Sequence, residues 1–223
     1  MKNIIITGTS RGIGFELALQ LADAGHQVLA LSRKTPSELL QHPNITCLAV
    51  DLAADDWRAT EQYLASWHHV DAIIHNAGAL VLKPFAQTTR EDFERVYKVN
   101  VFSVAALTQV CLPYLKKGSH VVSISSIGGV QGSVKFAGLS AYSSSKGAVI
   151  TLSELLAEEY REQGIAFNVL ALGSVQTEML AEAFPGYQAP VQPADMARFI
   201  SDFALNGQQF FNGKVLPVSS TTP

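Results

Sequence analysis

The chain has 223 residues, 48% of them hydrophobic, and a formal net charge of -3 with both signs mixed along its length; this supports one large buried core and lacks the concentrated positive field that nucleic-acid binding requires. Its two cysteines, Cys47 and Cys111, lie far apart with no histidine or further cysteine at ligand spacing, so neither a metal centre nor a disulfide framework is expected, and both read as apolar thiols in a reducing cytoplasm. The opening apolar run Ile4-Ile5-Ile6 is too short for a signal-peptide core and no later stretch reaches membrane-spanning length, so a cytoplasmic protein with no membrane partner is expected.

From Ile4 onward, short β-branched runs alternate with amphipathic stretches of helical length, the order expected of parallel strands joined by crossover helices. The first strand is expected over 3–7. A helix over 12–24 follows, with Leu17, Leu21 and Ala24 at helical spacing and Gly25 placed to end it. Strands over 27–32, 46–50 and 71–75 come next, mostly apolar as strands covered on both faces are. The stretch 92–117 is helical in pattern, with Pro113 predicting a kink or an early end before a strand over 120–124. A long helix over 141–163 leads to a strand over 166–172. A loop at Pro185-Gly186, a helix opening near Pro193 and a short strand over 214–217 complete the pattern. The whole reads as a single α/β domain over 1–223. It is expected to be a doubly wound parallel sheet of six or seven strands with helices on both faces, and a ligand crevice at the carboxyl ends of the strands.

Gly8, Gly12 and Gly14 stand in Thr7-Gly8-Thr9-Ser10-Arg11-Gly12-Ile13-Gly14, between the first strand and the first helix. Glycine permits positive φ and close backbone approach, and a helix start offers unpaired N–H donors with positive partial charge, which together suit the pyrophosphate of a dinucleotide. An ordinary glycine-rich turn has the same composition; the strand-turn-helix context favours the ligand loop. Tyr142 and Lys146 lie four residues apart at a helix start, so both face one site. A free phenol has a pKa of ~10, and a neighbouring ammonium favours the phenolate left after proton donation, at about 1.4 kcal/mol per unit of lowering. Y-x-x-x-K alone also occurs as a solvated pair on many helices.

Taken in order, these motifs resemble the short-chain dehydrogenase/reductase family over residues 1 to about 180. The wide T-G-x-x-x-G-x-G loop is joined by His75-Asn76-Ala77-Gly78 after the fourth strand, by Asn100 in Lys98-Val99-Asn100-Val101, by Ser125-Ser126 before Tyr142-Ser143-Ser144-Ser145-Lys146, and by Asn168-Val169 through Thr177. The resemblance implies a Rossmann-type sheet and hydride exchange between a nicotinamide cofactor and a carbonyl or alcohol, with Asn100, Ser126, Tyr142 and Lys146 as catalytic residues. It implies cofactor contacts from Gly8, Ser10, Arg11, Gly12, Ile13, Gly14, Asp51, Asn76, Ala77, Gly78, Tyr142, Lys146, Val175 and Thr177. Lys146 would also hold the nicotinamide ribose, and Asn100 would bend its helix and tie Lys146 to solvent through a water. Alignment with the family's strand-end block puts the catalytic hydroxyl at Ser126; Ser125 is the alternative. Asp51 would contact adenine or, alternatively, cap its turn, and Asn100 would alternatively bond backbone within an apolar helix.

The end of the second strand reads Ser32-Arg33-Lys34, with Arg33 19 residues after Gly14. An acidic residue there would accept from a free ribose 2′-hydroxyl, whereas arginine favours a 2′-phosphate. Arg33, with Arg11 and Ser10 on the same side, predicts NADP(H), NAD(H) remaining possible; a solvated strand exit is the other reading of Arg33-Lys34. Two features depart from the family. Ser126 and Tyr142 are 16 residues apart, implying an insertion between Gly129 and Leu139 whose Lys135 and Phe136 line the pocket, and Leu172 stands where the family usually has proline. A short lid over 178–192, with Met179, Phe184 and Tyr187, suggests a small apolar or aromatic ketone or aldehyde, though these residues also suit plain packing. The pairing helices of the family imply a homodimer or homotetramer. The rival readings are a non-catalytic NADPH-sensing regulator on the same fold and a structural subunit that binds no dinucleotide.

Overall fold

The computed structural model describes residues 1–219. Seven strands, β1 (Asn3–Thr7), β2 (Gln27–Ser32), β3 (Ile45–Ala49), β4 (Val70–His75), β5 (Leu115–Ser126), β6 (Ala166–Leu172) and β7 (Val215–Val218), form one sheet in the order β3-β2-β1-β4-β5-β6-β7. Every pairing is parallel. Parallel neighbours need crossovers, supplied by α1 (Gly12–Asp23), α2 (Ser37–Leu40), α3 (Arg58–Leu64), α4 (Arg90–Tyr97), α5 (Ser103–Cys111), α6 (Ser140–Glu159), α7 (Glu178–Ala183) and α8 (Pro193–Asn206). The chain reverses its direction of travel across the sheet at β1 and β4, so the loops after those two strands flank a crevice at the carboxyl edge.

Helices cover both faces. On one, α1 and α8 pack over Ile4, Ile6, Val122 and Leu170; on the other, Ile5, Ile73, Val121 and Phe167 meet Leu107, Cys111 and Ala157 of α5 and α6. Alternate strand residues therefore enter opposite halves of the core, which is why Ile4–Ile6 of β1 and Ala72–Ile74 of β4 are apolar at consecutive positions. Burial pushes the Cys111 thiol up to about 12, so it behaves as a small apolar side chain.

The strands over 27–32 and 166–172 lie where the pattern predicts them. The stretch 92–117 differs. Helix opens earlier, at Arg90, behind a capping box in which Thr89 Oγ1 accepts from Asp92 N–H and the Asp92 carboxylate accepts from Thr89 N–H. It passes through a π-helical turn at Lys98–Phe102, and ends at a 3-10 turn over Leu112–Tyr114 because Pro113 cannot continue it. Residues 115–117 then open β5, which begins five residues earlier than the apolar core of that strand suggests. Together Arg90–Tyr114 make a continuous helical run of 25 residues, long and apolar enough by length and composition to cross a membrane, contrary to the expectation that no stretch reaches that length; 39% of its most apolar window is buried in this fold. Six lysine, arginine and acidic residues punctuate its first half, which hides the run from a reading of uninterrupted apolar stretches.

Candidate active site

The glycine loop is built by close backbone contact. Gly8 and Gly12 have φ of 77° and 60°, the left-handed region that favours glycine. A Cβ at Gly14 would stand 2.2 Å from Gly8 O and 2.5 Å from Asn76 Nδ2, and one at Gly8 would stand 2.7 Å from Ala77 Cα, so the loop after β4 is pressed onto the turn after β1. Thr7 Oγ1 fastens the two by accepting the N–H groups of Asn76 and Ala77, both at 3.1 Å. In return Asn76 Nδ2 donates to Thr7 O and Gly8 O. Thr7 was quoted in the glycine motif only as its first letter; its anchoring role depends on a partner 69 residues away.

The N-cap of α1 is Arg11, in extended conformation and with no side-chain cap, so the first N–H groups of that helix have no side-chain acceptor. Beside them runs a cleft of about 630 Å³ lined by Ser10, Arg11, Gly12, Gln176, Thr177 and Glu178, among others. An uncapped helix start, two left-handed glycines and an adjoining cleft fit the pyrophosphate of a dinucleotide. Arg33 and Lys34 are exposed beyond β2, and no hydrogen bond or ion pair of Arg33 occurs among the described residues. Asp51 is exposed and accepts from Ala53 N at 3.0 Å, the turn-capping alternative. Val175 is buried and bridges to Val191, while Thr177 caps α7 by accepting from Leu180 N. Leu172 extends β6 opposite Val218, and Gly173 N donates to Val218 O at 3.0 Å, so the strand runs through the position where the family usually has proline.

At the end of β5 the two serines separate by role. Ser125 is buried and donates to Lys146 O at 2.9 Å, holding α6 against the sheet. Ser126 is partly exposed; its hydroxyl accepts from Gly128 N at 3.3 Å and acts on the Tyr142 phenol to favour its ionised form. Lys146 Nζ lies 5.7 Å from the Tyr142 ring centre and donates to Ile124 O at 2.7 Å. Gly129 makes this closeness possible, since a Cβ there would stand 2.7 Å from the Lys146 carbonyl carbon and 2.9 Å from Gly147 N.

The ammonium does not assist the phenol here as the spacing predicts. Burial raises the Tyr142 pKa, with only the Ser126 hydrogen bond opposing it, and burial lowers Lys146 to about 8. Burial disfavours the charged form of each, the phenolate of one and the ammonium of the other. Asn100 sits on the π-helical turn, and its side chain is taken by the Ala79 backbone and the Ser145 hydroxyl: Oδ1 accepts from Ala79 N at 2.7 Å, and Nδ2 donates to Ala79 O and to Ser145 Oγ. Ser145, unnoticed in the sequence as a participant, donates in turn to Tyr142 O. Gly78 borders both Asn100 Oδ1 and Lys146 Nζ, and Met179 Cε stands beside them.

The loop over 129–139 divides. Phe136 packs over Gly128, whereas the Lys135 ammonium donates back to Val130 O and to Ser133 O and Oγ, satisfied within its own turn. Of the three lid residues, Met179 and Phe184 are partly buried and Tyr187 is exposed.

The sequence profile described as short chain dehydrogenase matches residues 2–188. The chain belongs to this family. It is 33% identical over 179 residues to carbonyl reductase [NADPH] 2 of Sus scrofa, covering 78% of this chain and 72% of the relative, and 34% identical over 185 residues to L-xylulose reductase of Mesocricetus auratus, covering 80% and 73%. A short chain dehydrogenase from Burkholderia cenocepacia in complex with NADP superposes with a TM-score of 0.87 at 26% identity, over 99% of this chain and 97% of that one. This short-chain dehydrogenase is therefore an NAD(P)-dependent oxidoreductase on a Rossmann-like α/β fold.

Proposed function

We propose that this enzyme interconverts a small apolar or aromatic ketone or aldehyde and its alcohol, with NADP(H) favoured, and that Tyr142 moves the proton. The observation that carries the reading is the meeting of Ser126, Tyr142 and Lys146 at the carboxyl edge of β5, across the sheet from the uncapped start of α1. When bound, a nicotinamide dinucleotide supplies or accepts the hydride. Gly8, Ser10, Gly12, Ile13 and Gly14 would hold its pyrophosphate through backbone donors, with Asn76, Ala77 and Gly78 on the adenosine side and Val175 and Thr177 toward the carboxamide. Asp51 would reach adenine by giving up its turn bond.

Ser126 Oγ holds the substrate oxygen beside the phenol. With its pKa raised by burial, Tyr142 carries its proton at neutral pH and serves as the acid that reduction requires. Lys146, brought down to about 8, sits near the charge transition at working pH and binds ribose hydroxyls. Asn100 braces the loop that borders Lys146. The NADP(H) preference is supported by Arg11 and Arg33 near the ribose side and by the absence of an acid at the end of β2. Residues 178–192 act as the lid of one catalytic domain. A homodimer or homotetramer built on α4, α5 and α6 completes the reading.

Titration of nicotinamide fluorescence with NADPH and NADH tests it: NADPH binds more tightly, and Arg33→Asp reverses or abolishes the preference. An unchanged ratio in that variant refutes the phosphate site. Tyr142→Phe should lower turnover by about 10²-fold or more with cofactor binding kept, as loss of a positioned acid does; near-normal turnover refutes the mechanism.

A further inference from the structure

The lid helix α7 rests on the cofactor loop. A Cβ added at Gly12 would meet Glu178 Oε2 and Thr177 Cγ2, each at 3.4 Å. One turn further along α7, Glu182 accepts from both guanidinium arms of Arg11, at 2.5 and 3.3 Å. The pair spans 171 residues of chain, so it joins two separate parts of the site. Glu178 and Glu182 are four residues apart, and each acts on the Arg11 charge. Two carboxylates of the protein itself therefore stand at the positive end of α1, beside the cleft where an anionic dinucleotide is to lie.

That arrangement is reversible by construction. The side chains of Arg11 and Glu182 are 48% and 64% exposed, and an exposed pair of this kind is weak. No residue of α7 is buried, so the helix has little to lose by moving. Its base stays fixed, because Val175 bridges Val191, Gln176 N donates to Val191 O at 2.8 Å, and Gln176 Oε1 accepts from Ala189 N at 2.6 Å.

We propose that Glu182 is an internal competitor for the cofactor's 2′-phosphate, holding Arg11 in the cofactor-free enzyme and surrendering it on binding, which frees α7 to move as a lid. The proposal rests on the NADP(H) reading above. Because coupling is reciprocal, the Arg11–Glu182 pair weakens phosphate binding by the same factor by which the phosphate loosens α7. A cofactor without the 2′-phosphate leaves the pair intact, so the two nicotinamide cofactors would set different lid states.

The test uses the cofactor-free full chain, wild type and Glu182→Gln, titrated calorimetrically with adenosine 2′,5′-bisphosphate and with adenosine 5′-monophosphate. Removing the competitor should tighten the bisphosphate by about two- to fivefold, the strength of an exposed pair, and leave the monophosphate unchanged. In parallel, chymotrypsin cleavage at Phe184 and Tyr187 should speed up in the wild type when the bisphosphate is added, and should be fast without it in Glu182→Gln. If the wild type prefers the bisphosphate but Glu182→Gln binds it no better, or if cleavage ignores the bisphosphate, the competitor is overturned and the NADP(H) reading stands. If the wild type shows no preference for the bisphosphate, the NADP(H) reading falls and the competitor with it.

Discussion

Replacing Thr7 by valine removes one oxygen and keeps the shape of the side chain. That oxygen accepts the N–H groups of Asn76 and Ala77 at 3.1 Å each, in a residue only 3% exposed. A buried donor left without an acceptor costs about 1–3 kcal/mol. Asn76 and Ala77 are partly buried, so each falls in the lower half of that range, and the two together come to about 2–4 kcal/mol. For a chain of this size each kcal/mol moves the midpoint by about 2–4 °C, so Thr7→Val should melt roughly 4–16 °C below wild type. Thr7→Ser keeps the acceptor and loses one methyl, about 1 kcal/mol, and should recover most of the difference. Differential scanning calorimetry of the three cofactor-free proteins decides it. A valine variant that melts with the wild type, or a serine variant that melts with the valine, would refute the claim that this hydroxyl fastens the glycine loop to β4.

Lys146 is brought from 10.5 to about 8 by burial, so the unfolded chain binds more protons than the folded one between those values and stability rises with pH across that window. At pH 7 the buried charge costs about 3 kcal/mol, so Lys146→Met should be more stable than wild type in urea at pH 7, with the advantage shrinking toward pH 10, even as activity is lost; equal differences at both pH values would contradict this. His75 and His120 are held neutral by burial, at about 3 and about 4 against an ordinary 6.5. Their depressed values mean stability is full above about pH 6.5 and is lost as pH falls toward 4, by up to about 2 kcal/mol per histidine at pH 5. Urea midpoints of wild type should therefore drop between pH 7 and pH 5 by clearly more than those of a His75→Gln, His120→Gln double variant. Parallel curves would refute it.

Much of the fold was legible because its signals are local. The run at Gln27–Ser32 is apolar between its two ends, that at Ala166–Leu172 is apolar except for Asn168, and turns on either side mark their ends. The start of β5 was not, because Lys116, Lys117 and Gly118 are exposed and lie in the irregular stretch between the Val70–Leu115 and Ala72–His120 pairings with β4. The order of the catalytic motifs was equally readable. The role of each member was less so: Ser125 and Ser126 are neighbours of identical chemistry, and only the sheet decides which faces Lys146 O and which faces Tyr142. The partnership of Arg11 with Glu182 left no trace at all, since neither spacing nor composition links residues 171 apart.

The contact at Gly129 has a consequence for anyone who would alter this enzyme. The helix that carries Tyr142 and Lys146 is seated against a position defined by a missing atom, so the tolerances of the reaction centre are written into a residue with no side chain of its own. Libraries aimed at new substrates can vary Phe136 and Met179, which are only partly buried, and expect graded changes in preference. The same library opened at Gly129 would return a cliff, with function lost at the first methyl group, and a screen that counts only distance from the substrate would misjudge which position is expendable.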